Sequence, residues 1–255
     1  MYRRHGPLYS VGCHCLLPPA APPVPASSTA ILLFSHRPAR EWSNKQFVPG
    51  DYATSAQVAH TLHTHTVQTV HRSGYPVIEV DGAAQRGETF GERLTNAFAD
   101  AFDAGYDRVI AVGGDCPTLH EVNWNAVHTR LGSGQPVIGP TPGGGTYLIG
   151  LHRSHFNAQA LAHLPWQSPQ LGAALQHHLR NAHGTVAVLT SRRDVNTVRD
   201  LVALLRQTPL PVRPLANRLR RVLGWGTPSL CTSLRWIHAP QSAVASVRGP
   251  PAAHA

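Results

Sequence analysis

The feature that most constrains the fold of this chain is the alternation of short apolar runs with longer segments of helical spacing. Six runs are of strand length and read AILLFS, PVIEV, RVIAVGGD, QPVIGP, TYLIGL and TVAVLT. Between them, the apolar residues of 90–102 recur three and four positions apart, which places them on one face of a helix. Similar segments span 55–71, 121–130, 169–180 and 198–205. Strands that alternate with helices form βαβ units, so the pattern predicts an α/β fold with a mainly parallel sheet covered on both faces.

The two ends of the 255-residue chain differ in composition from its middle. Residues 1–28 are rich in Pro, Ala and Ser, a composition typical of extended, solvated chain. The stretch 207–255 holds at most one short basic helix and ends in another Pro-rich and Ala-rich segment. We therefore expect a disordered leader over 1–28, one domain over 29–206 and a basic, largely irregular extension over 207–255.

The net charge of +9 comes from the ends of the chain. Between residues 29 and 200 the 13 basic side chains balance the 13 acidic ones, whereas seven arginines and no carboxylate follow Asp200. A nucleic-acid-binding domain needs a basic face on the folded domain itself. The distribution therefore argues against a nucleic-acid partner for the domain, while an Arg-rich extension that binds nucleic acid or an acidic membrane stays open as a separate hypothesis.

Several classes of protein are excluded by what the sequence lacks. No stretch approaches the roughly 20 apolar residues of a membrane-spanning helix. Arg3 and Arg4 are followed by prolines rather than by the apolar region of a signal peptide. The four cysteines have neither the spacing of a disulfide framework nor that of paired zinc ligands. These observations predict a cytoplasmic protein without a membrane span.

Three places carry polar or glycine-rich residues beside a predicted strand, where open α/β sheets bind ligands. Asp115 follows RVIAVGG, the run Gly143–Gly144–Gly145 precedes TYLIGL, and Asn196 lies in DVNT after TVAVLT. Each place also has a purely structural interpretation. Asp115 or Thr118 could cap the next helix, Thr197 or Asn196 could cap the last one, and three glycines commonly form a simple turn.

Two further sets of residues suggest chemistry less strongly. His60, His63, His65 and His71 lie in one predicted helix, but only His60 and His63 share a face, so the pattern favours an exposed polar surface over a metal site. Cys116 adjoins Asp115, and a nucleophilic role would need a nearby base that the sequence does not identify. A small buried side chain is the preferred interpretation.

Taken together, four ordered segments resemble a known family. They begin with TFGERLTNAFADAFDAGYDRVIAVGGDCPTL and continue with VIGPTPGGGTYLIGL, LPWQSPQLGAALQHHL and DVNTVRDL. The resemblance covers about residues 29–206 and is to bacterial glycosyltransferase-like proteins of unknown function, in the nucleotide-diphospho-sugar transferase (GT-A-like) superfamily. These are similar to molybdenum-cofactor and F420-precursor nucleotidyltransferases. The resemblance implies a Rossmann-like, GT-A-type three-layer sandwich with a mainly parallel, mixed sheet.

The resemblance also implies a nucleotide or nucleotide-sugar donor, an unidentified acceptor and a bound Mg²⁺ or Mn²⁺. Asp115 and Asn196 match the positions that hold the metal, since hard cations accept carboxylate and amide oxygens. Lys45, the only lysine of the chain, lies in the loop that faces the phosphates, although an exposed surface lysine is an equal alternative. Gly91 and Arg93 match the nucleotide pocket, and Arg93 could instead form a surface ion pair.

Residues of the acceptor side show where the chain departs from the family. Gly143, Gly144, Gly145 and Trp166 match this side of the cleft, and Trp166 could equally pack in a core. However, relatives usually carry an aspartate where this chain has Gly143, and the basic KTRL-like signature is absent. The sequence therefore predicts either a metal-dependent glycosyl- or nucleotidyltransferase, or a non-catalytic binding protein that kept the fold.

Overall fold

A six-stranded sheet forms the centre of the molecule. The computed structural model describes residues 28–35, 46–206 and 210–225. The strands are β1 (Thr29–Phe34), β2 (Val77–Val80), β3 (Arg108–Val112), β4 (Val137–Pro140), β5 (Thr146–His152) and β6 (Ala187–Val188). Their spatial order is β2-β1-β3-β5-β4-β6. Only β5 runs antiparallel to its neighbours in this sheet, whereas the β1–β2, β1–β3 and β4–β6 pairs are parallel. The predicted mixed, mainly parallel sheet is confirmed.

Helices cover the sheet, and several have N-terminal caps that explain where they begin. They are α1 (Tyr52–His71), α2 (Phe90–Asp103), α3 (Trp124–Gly132), α4 (Ala158–Ala162), α5 (Leu171–His183), α6 (Val198–Arg206) and α7 (Arg213–Val222). Asp51 accepts a hydrogen bond from the Thr54 backbone N–H at the start of α1. Thr89 and Glu92 form a reciprocal capping box at the start of α2. Such caps satisfy backbone N–H groups that lack a partner within the helix.

Apolar residues of the strands face two sides in alternation. Leu32 and Phe34 join a core with α2 and α5, whereas Ile31 and Leu33 join a second core with α3. This alternation is the two-residue period of a strand, so both faces of the sheet are buried. The sheet and the helices on its two faces therefore form the three layers expected for this fold class.

A third apolar cluster joins the C-terminal helices to the domain. Leu201 and Leu205 of α6 and Leu215 and Leu219 of α7 pack with Leu62 of α1, and all five are at least 95% buried. Helix α7 is the one short basic helix expected in the 207–255 extension. Because it shares a core with α1, residues 210–225 are packed onto the domain. The 1–28 leader and the rest of the extension lie outside the described residues, so their predicted character stays a prediction.

Two predicted elements differ from the structure. The helix expected over 121–130 begins only at Trp124, capped by Asn123, because Leu119–Glu121 form a separate 3-10 turn. The strand expected over 185–190 narrows to Ala187–Val188, since β6 pairs with only the first two residues of β4. No helix in the described parts of the chain has the length and apolar character needed to cross a bilayer.

Candidate active site

A cavity of about 530 Å³ opens at the carboxyl ends of β1 and β3. Phe34 and Ser35 at the end of β1, the turn Gly113–Gly114 after β3, and the beginning of antiparallel β5 contribute to its wall. The predicted residues that line it are Asp115, Gly143, Gly145, Trp166 and Asn196. Parallel strands end at one edge of a sheet, and this edge is where such folds bind ligands.

Asp115 and Asn196 are brought together by a backbone hydrogen bond. The N–H of Val195 donates to the carbonyl oxygen of Asp115 at 2.9 Å. Asp194, the other neighbour of Val195, also lines the cavity, and its Oδ1 atom is shielded from solvent. Two carboxylates and one amide therefore border the same space, although 79 positions separate Asp115 from Asp194. Asp194 is the first residue of DVNT, the segment in which the sequence pattern pointed only to Asn196.

The capping alternatives are decided differently at these two places. Thr197 caps α6, because its hydroxyl accepts from the Asp200 N–H at 3.2 Å and donates to the Asp200 carboxylate at 2.8 Å. The capping role considered for Thr197 or Asn196 thus falls to Thr197. After Asp115, the 3-10 turn at 119–121 begins without a side-chain hydrogen bond from its first flanking residue, Thr118, so Thr118 does not cap it.

The three consecutive glycines form the turn that joins β4 to β5. The Thr141 carbonyl accepts from Gly144 N–H at 3.1 Å, and the Thr141 hydroxyl accepts from Gly145 N–H at 3.1 Å. Because these two N–H groups form hydrogen bonds within the turn, they are not available to bind an anion. Gly144 has a φ of +83°, and a Cβ added there would lie 1.9 Å from the Pro169 carbonyl oxygen. The turn is thereby pressed against the start of α5, and Gly144 itself is not part of the cavity wall.

Gly143 differs from its neighbour because it faces open space. Among the described residues, no other atom lies within 4 Å of a Cβ placed at this position, and Gly143 lines the cavity. Packing against the described residues therefore does not require a glycine at this position.

Gly91 and Arg93 do not line the cavity, contrary to the expected nucleotide contacts. A Cβ at Gly91 would lie 2.2 Å from the Ala162 carbonyl oxygen and 2.5 Å from Cδ1 of Trp166. Gly91 thus lets Trp166 pack onto α2, while the Arg93 Nε atom is buried away from solvent. The indole N–H of Trp166 donates to the Leu161 carbonyl at 2.8 Å. Trp166 therefore packs against α2 and also lines the cavity, and its place on the acceptor side stays a prediction.

His63 is the residue of the cavity that sequence reasoning missed. Its Nε2 atom lies 3.0 Å from the Ser35 hydroxyl, and both residues line the cavity. Burial lowers the pKa of His63, so the free protein holds a neutral imidazole at neutral pH. His65 is also half-buried, 3.0 Å from the Pro117 carbonyl. The expected exposed polar face thus holds for His60 and His71 but is wrong for His63 and His65.

Cys116 and Lys45 complete the set of predicted residues. The Cys116 side chain is 1% exposed, and burial raises the pKa of its thiol to about 12. The small buried side chain favoured above is confirmed, since a thiol that stays protonated is a poor nucleophile. Lys45 lies outside the described residues. In the described part of the chain, no three His, Cys, Asp or Glu side chains converge as a metal site.

Comparison with known proteins supports the architecture. A family described as "Uncharacterized protein conserved in bacteria (DUF2064)" matches residues 48–168. This segment holds Asp115, the glycine turn and Trp166, but ends before Asp194 and Asn196. The chain is thus similar to this bacterial family over just under half of its length. No curated protein matches the chain.

One solved structure shares the fold, and two others align more weakly. A protein from Desulfovibrio desulfuricans G20, described as a candidate nucleotide-diphospho-sugar transferase, is 25% identical with a TM-score of 0.66, over 78% of this chain and 96% of that one. Rv0371c from Mycobacterium tuberculosis H37Rv, in complex with manganese, is 16% identical with a TM-score of 0.38, over 71% of this chain and all of that one. A CMP-2-keto-3-deoxy-manno-octonic acid synthetase with CTP is 14% identical with a TM-score of 0.36, over 72% and 100%. The fold is that of nucleotide-diphospho-sugar transferases.

Proposed function

We propose that this protein is a metal-dependent transferase that takes a nucleotide sugar or a nucleoside triphosphate as donor and passes a glycosyl or nucleotidyl group to an acceptor. One observation carries the proposal. Asp115, Asp194 and Asn196 border a single cavity at the carboxyl edge of a nucleotide-diphospho-sugar transferase fold. The related Desulfovibrio protein, which aligns over most of both chains, supports the choice of donor class.

The oxygen donors of the cavity suit Mg²⁺ or Mn²⁺. Mg²⁺ is commonly held by one or two carboxylates, with substrate phosphates and water as its other ligands, rather than by a complete protein cage. Asp115 and Asp194 supply two carboxylates, and Asn196 supplies a neutral amide oxygen. When bound, such an ion would neutralise charge on the phosphate oxygens during transfer.

The charge of the wall gives a physical reason for metal dependence. Among the described residues that line the cavity, Asp115 and Asp194 are acidic and none is Lys or Arg. A phosphate that approaches these carboxylates directly is repelled, and the repulsion is strong where water is partly excluded. A cation between the two groups reverses the sign, so donor binding should require the metal.

The remaining lining residues suit a donor with both polar and apolar parts. Phe47, Leu62 and Phe90 offer apolar surface for a base or sugar face, and Ser35 and Thr141 add hydroxyl groups. Trp166, with Ser168, borders the side next to the glycine turn, where we place the acceptor. Positioning and charge neutralisation carry much of phosphoryl chemistry, so this proposal requires no protein base.

The test is nucleotide binding with and without metal, followed by turnover. We expect nucleoside diphosphates, triphosphates or nucleotide sugars to bind in Mg²⁺ or Mn²⁺ and to lose affinity after chelation. D115N should lose most of the metal-dependent affinity, whereas D103N, which alters an exposed carboxylate at the end of α2, should keep it. Metal-independent binding in D115N and the unaltered protein alike would contradict the proposed metal site.

A second candidate function is favoured by Gly143. The cavity lacks the acidic residue that relatives usually carry there, so the chain would bind the donor without transferring from it. Because packing against the described residues does not require a glycine at this position, G143D restores the carboxylate. Tight metal-dependent binding with no product in the unaltered protein, and product in G143D, would establish the binding function and refute the enzyme.

A further inference from the structure

His63 is the one side chain in the described wall of the cavity that can carry a positive charge. It reaches the wall from α1, the helix that packs on the β1 side of the sheet. A Cβ added at Gly114 would lie 3.2 Å from Cδ2 of His63, so the imidazole lies against the glycine turn that precedes Asp115. The only candidate cation of the described wall therefore lies at the strand end where the phosphates of a donor are expected.

The imidazole is held in one orientation by Ser35. The Ser35 hydroxyl lies 3.0 Å from Nε2, while Gln85 donates to the Ser35 carbonyl at 2.9 Å and thereby fixes the end of β1. Among the described residues, none forms a hydrogen bond with the Nδ1 atom of His63.

We propose that His63 contacts the phosphate of the donor, as an imidazolium that Ser35 orients. This inference rests on the proposed function and extends it to a residue that neither the resemblance nor the comparisons assign. The imidazole takes up a proton from solvent when the donor binds, because the negative phosphate stabilises the charged form of the ring. The contact would then be a charge-assisted hydrogen bond, which is stronger than one between neutral groups.

Other charged groups act on His63 and set its resting state. Glu79 on β2 favours the protonated form, while His60 on α1 and burial oppose it, and burial has the largest effect on the pKa. A third charged group, Asp115, directly follows Gly114, the residue against which the His63 imidazole lies. The free protein thus holds a neutral ring at neutral pH, and a bound phosphate supplies the additional negative charge.

The experiment compares a diphosphate with its nucleoside. ADP, CDP, GDP and UDP, each beside the corresponding nucleoside, are titrated in Mn²⁺ into the unaltered protein, H63Q and H60Q by calorimetry. H60Q is the matched control, since His60 lies on the same helix but is exposed. We expect H63Q to bind the diphosphate about tenfold more weakly or worse and to bind the nucleoside with unchanged affinity. H63Q should also abolish the proton uptake that accompanies diphosphate binding, measured in two buffers at pH 7.5. H60Q should bind the diphosphate at least as tightly as the unaltered protein does, because His60 opposes protonation of His63.

Each other outcome has a definite meaning. If H63Q binds the diphosphate as tightly as H60Q does, or weakens diphosphate and nucleoside equally, His63 only shapes the cavity and the inference is wrong. If none of the four nucleotides binds to the unaltered protein in Mn²⁺, the proposed function itself fails. S35A provides a second variant that keeps the imidazole; we expect it to lose part of the diphosphate preference, and an unchanged preference would refute orientation by Ser35.

Discussion

The glycine turn between β4 and β5 offers a sharp test of the packing described above, because two adjacent glycines have opposite surroundings. Gly144 has a φ of +83°, and a Cβ there would lie 1.9 Å from the carbonyl oxygen and 2.7 Å from the carbonyl carbon of Pro169. Gly143 does not have a left-handed backbone, and no other atom in the described part of the chain lies within 4 Å of a Cβ added there. We therefore expect G144A to destabilise the protein strongly and G143A to leave its stability nearly unchanged.

The expected loss of stability in G144A has two contributions. A left-handed conformation costs an alanine about 1–2 kcal/mol, and forcing extra volume into a packed region costs about 1–3 kcal/mol. The clashing atoms belong to backbone at the start of α5, where Gly172 donates to the Gly144 carbonyl at 2.7 Å, so a side-chain rotation cannot relieve the clash. The free energy of unfolding of G144A should fall by about 2–5 kcal/mol, the sum of these parts.

Urea and thermal denaturation followed by circular dichroism measure this difference. At this size about 1 kcal/mol corresponds to roughly 2–4 °C, so G144A should unfold about 4–20 °C lower. G143A should stay within about 0.5 kcal/mol of the unaltered protein. Two variants that differ by less than about 0.5 kcal/mol would show that the turn does not pack on Pro169 as described.

Three further predictions concern the rest of the domain. G91A should lower the free energy of unfolding by about 1–3 kcal/mol, because its Cβ would clash with the Ala162 carbonyl and with Trp166; an unchanged urea midpoint would contradict that packing. Burial lowers the pKa of His63 and His65 below the usual 6.5, so the unfolded chain takes up protons first and stability should fall as the pH drops below about 6.5. Urea midpoints at pH 7.5 and 5.5 test this, and H65Q should show a smaller fall; an equal fall in H65Q would exclude His65 as a cause. The Cys116 thiol, with a pKa of about 12, should resist iodoacetamide at pH 8 until the protein is denatured, as followed by mass spectrometry of its peptide, and rapid labelling of the native protein would refute its burial.

The pattern of apolar residues along the sequence was sufficient to predict the α/β architecture. Short apolar runs bounded by turn residues predict buried strands, and apolar spacing in 90–102 predicts α2, because both patterns come from the local geometry of one element. The same logic placed Asp115 correctly at a strand end beside the cavity. It was less successful where local signals overlap, as in 121–130, where a 3-10 turn and then the Asn123 cap delay the helix to Trp124.

Residue roles that depend on contacts between distant parts of the chain could not be predicted in this way. Gly91 resembles a nucleotide-pocket glycine in sequence, but its free space is taken by Trp166, 75 positions later. His63 belongs to a helix whose other histidines at 60 and 71 are exposed, and only the approach of Ser35 from β1 makes it part of the cavity.

The sequence by itself determined the layered α/β fold and the edge of the sheet at which a ligand should bind, because strand and helix periodicities are local properties. The tertiary structure decided which side chains meet at that edge. It joined Asp115 to Asp194 and Asn196 through the Val195 hydrogen bond, excluded Gly91 and Arg93 from the cavity, and placed His63 in its wall. The physical reason is that a ligand site is a set of through-space distances, which are set only when the helices pack on the sheet.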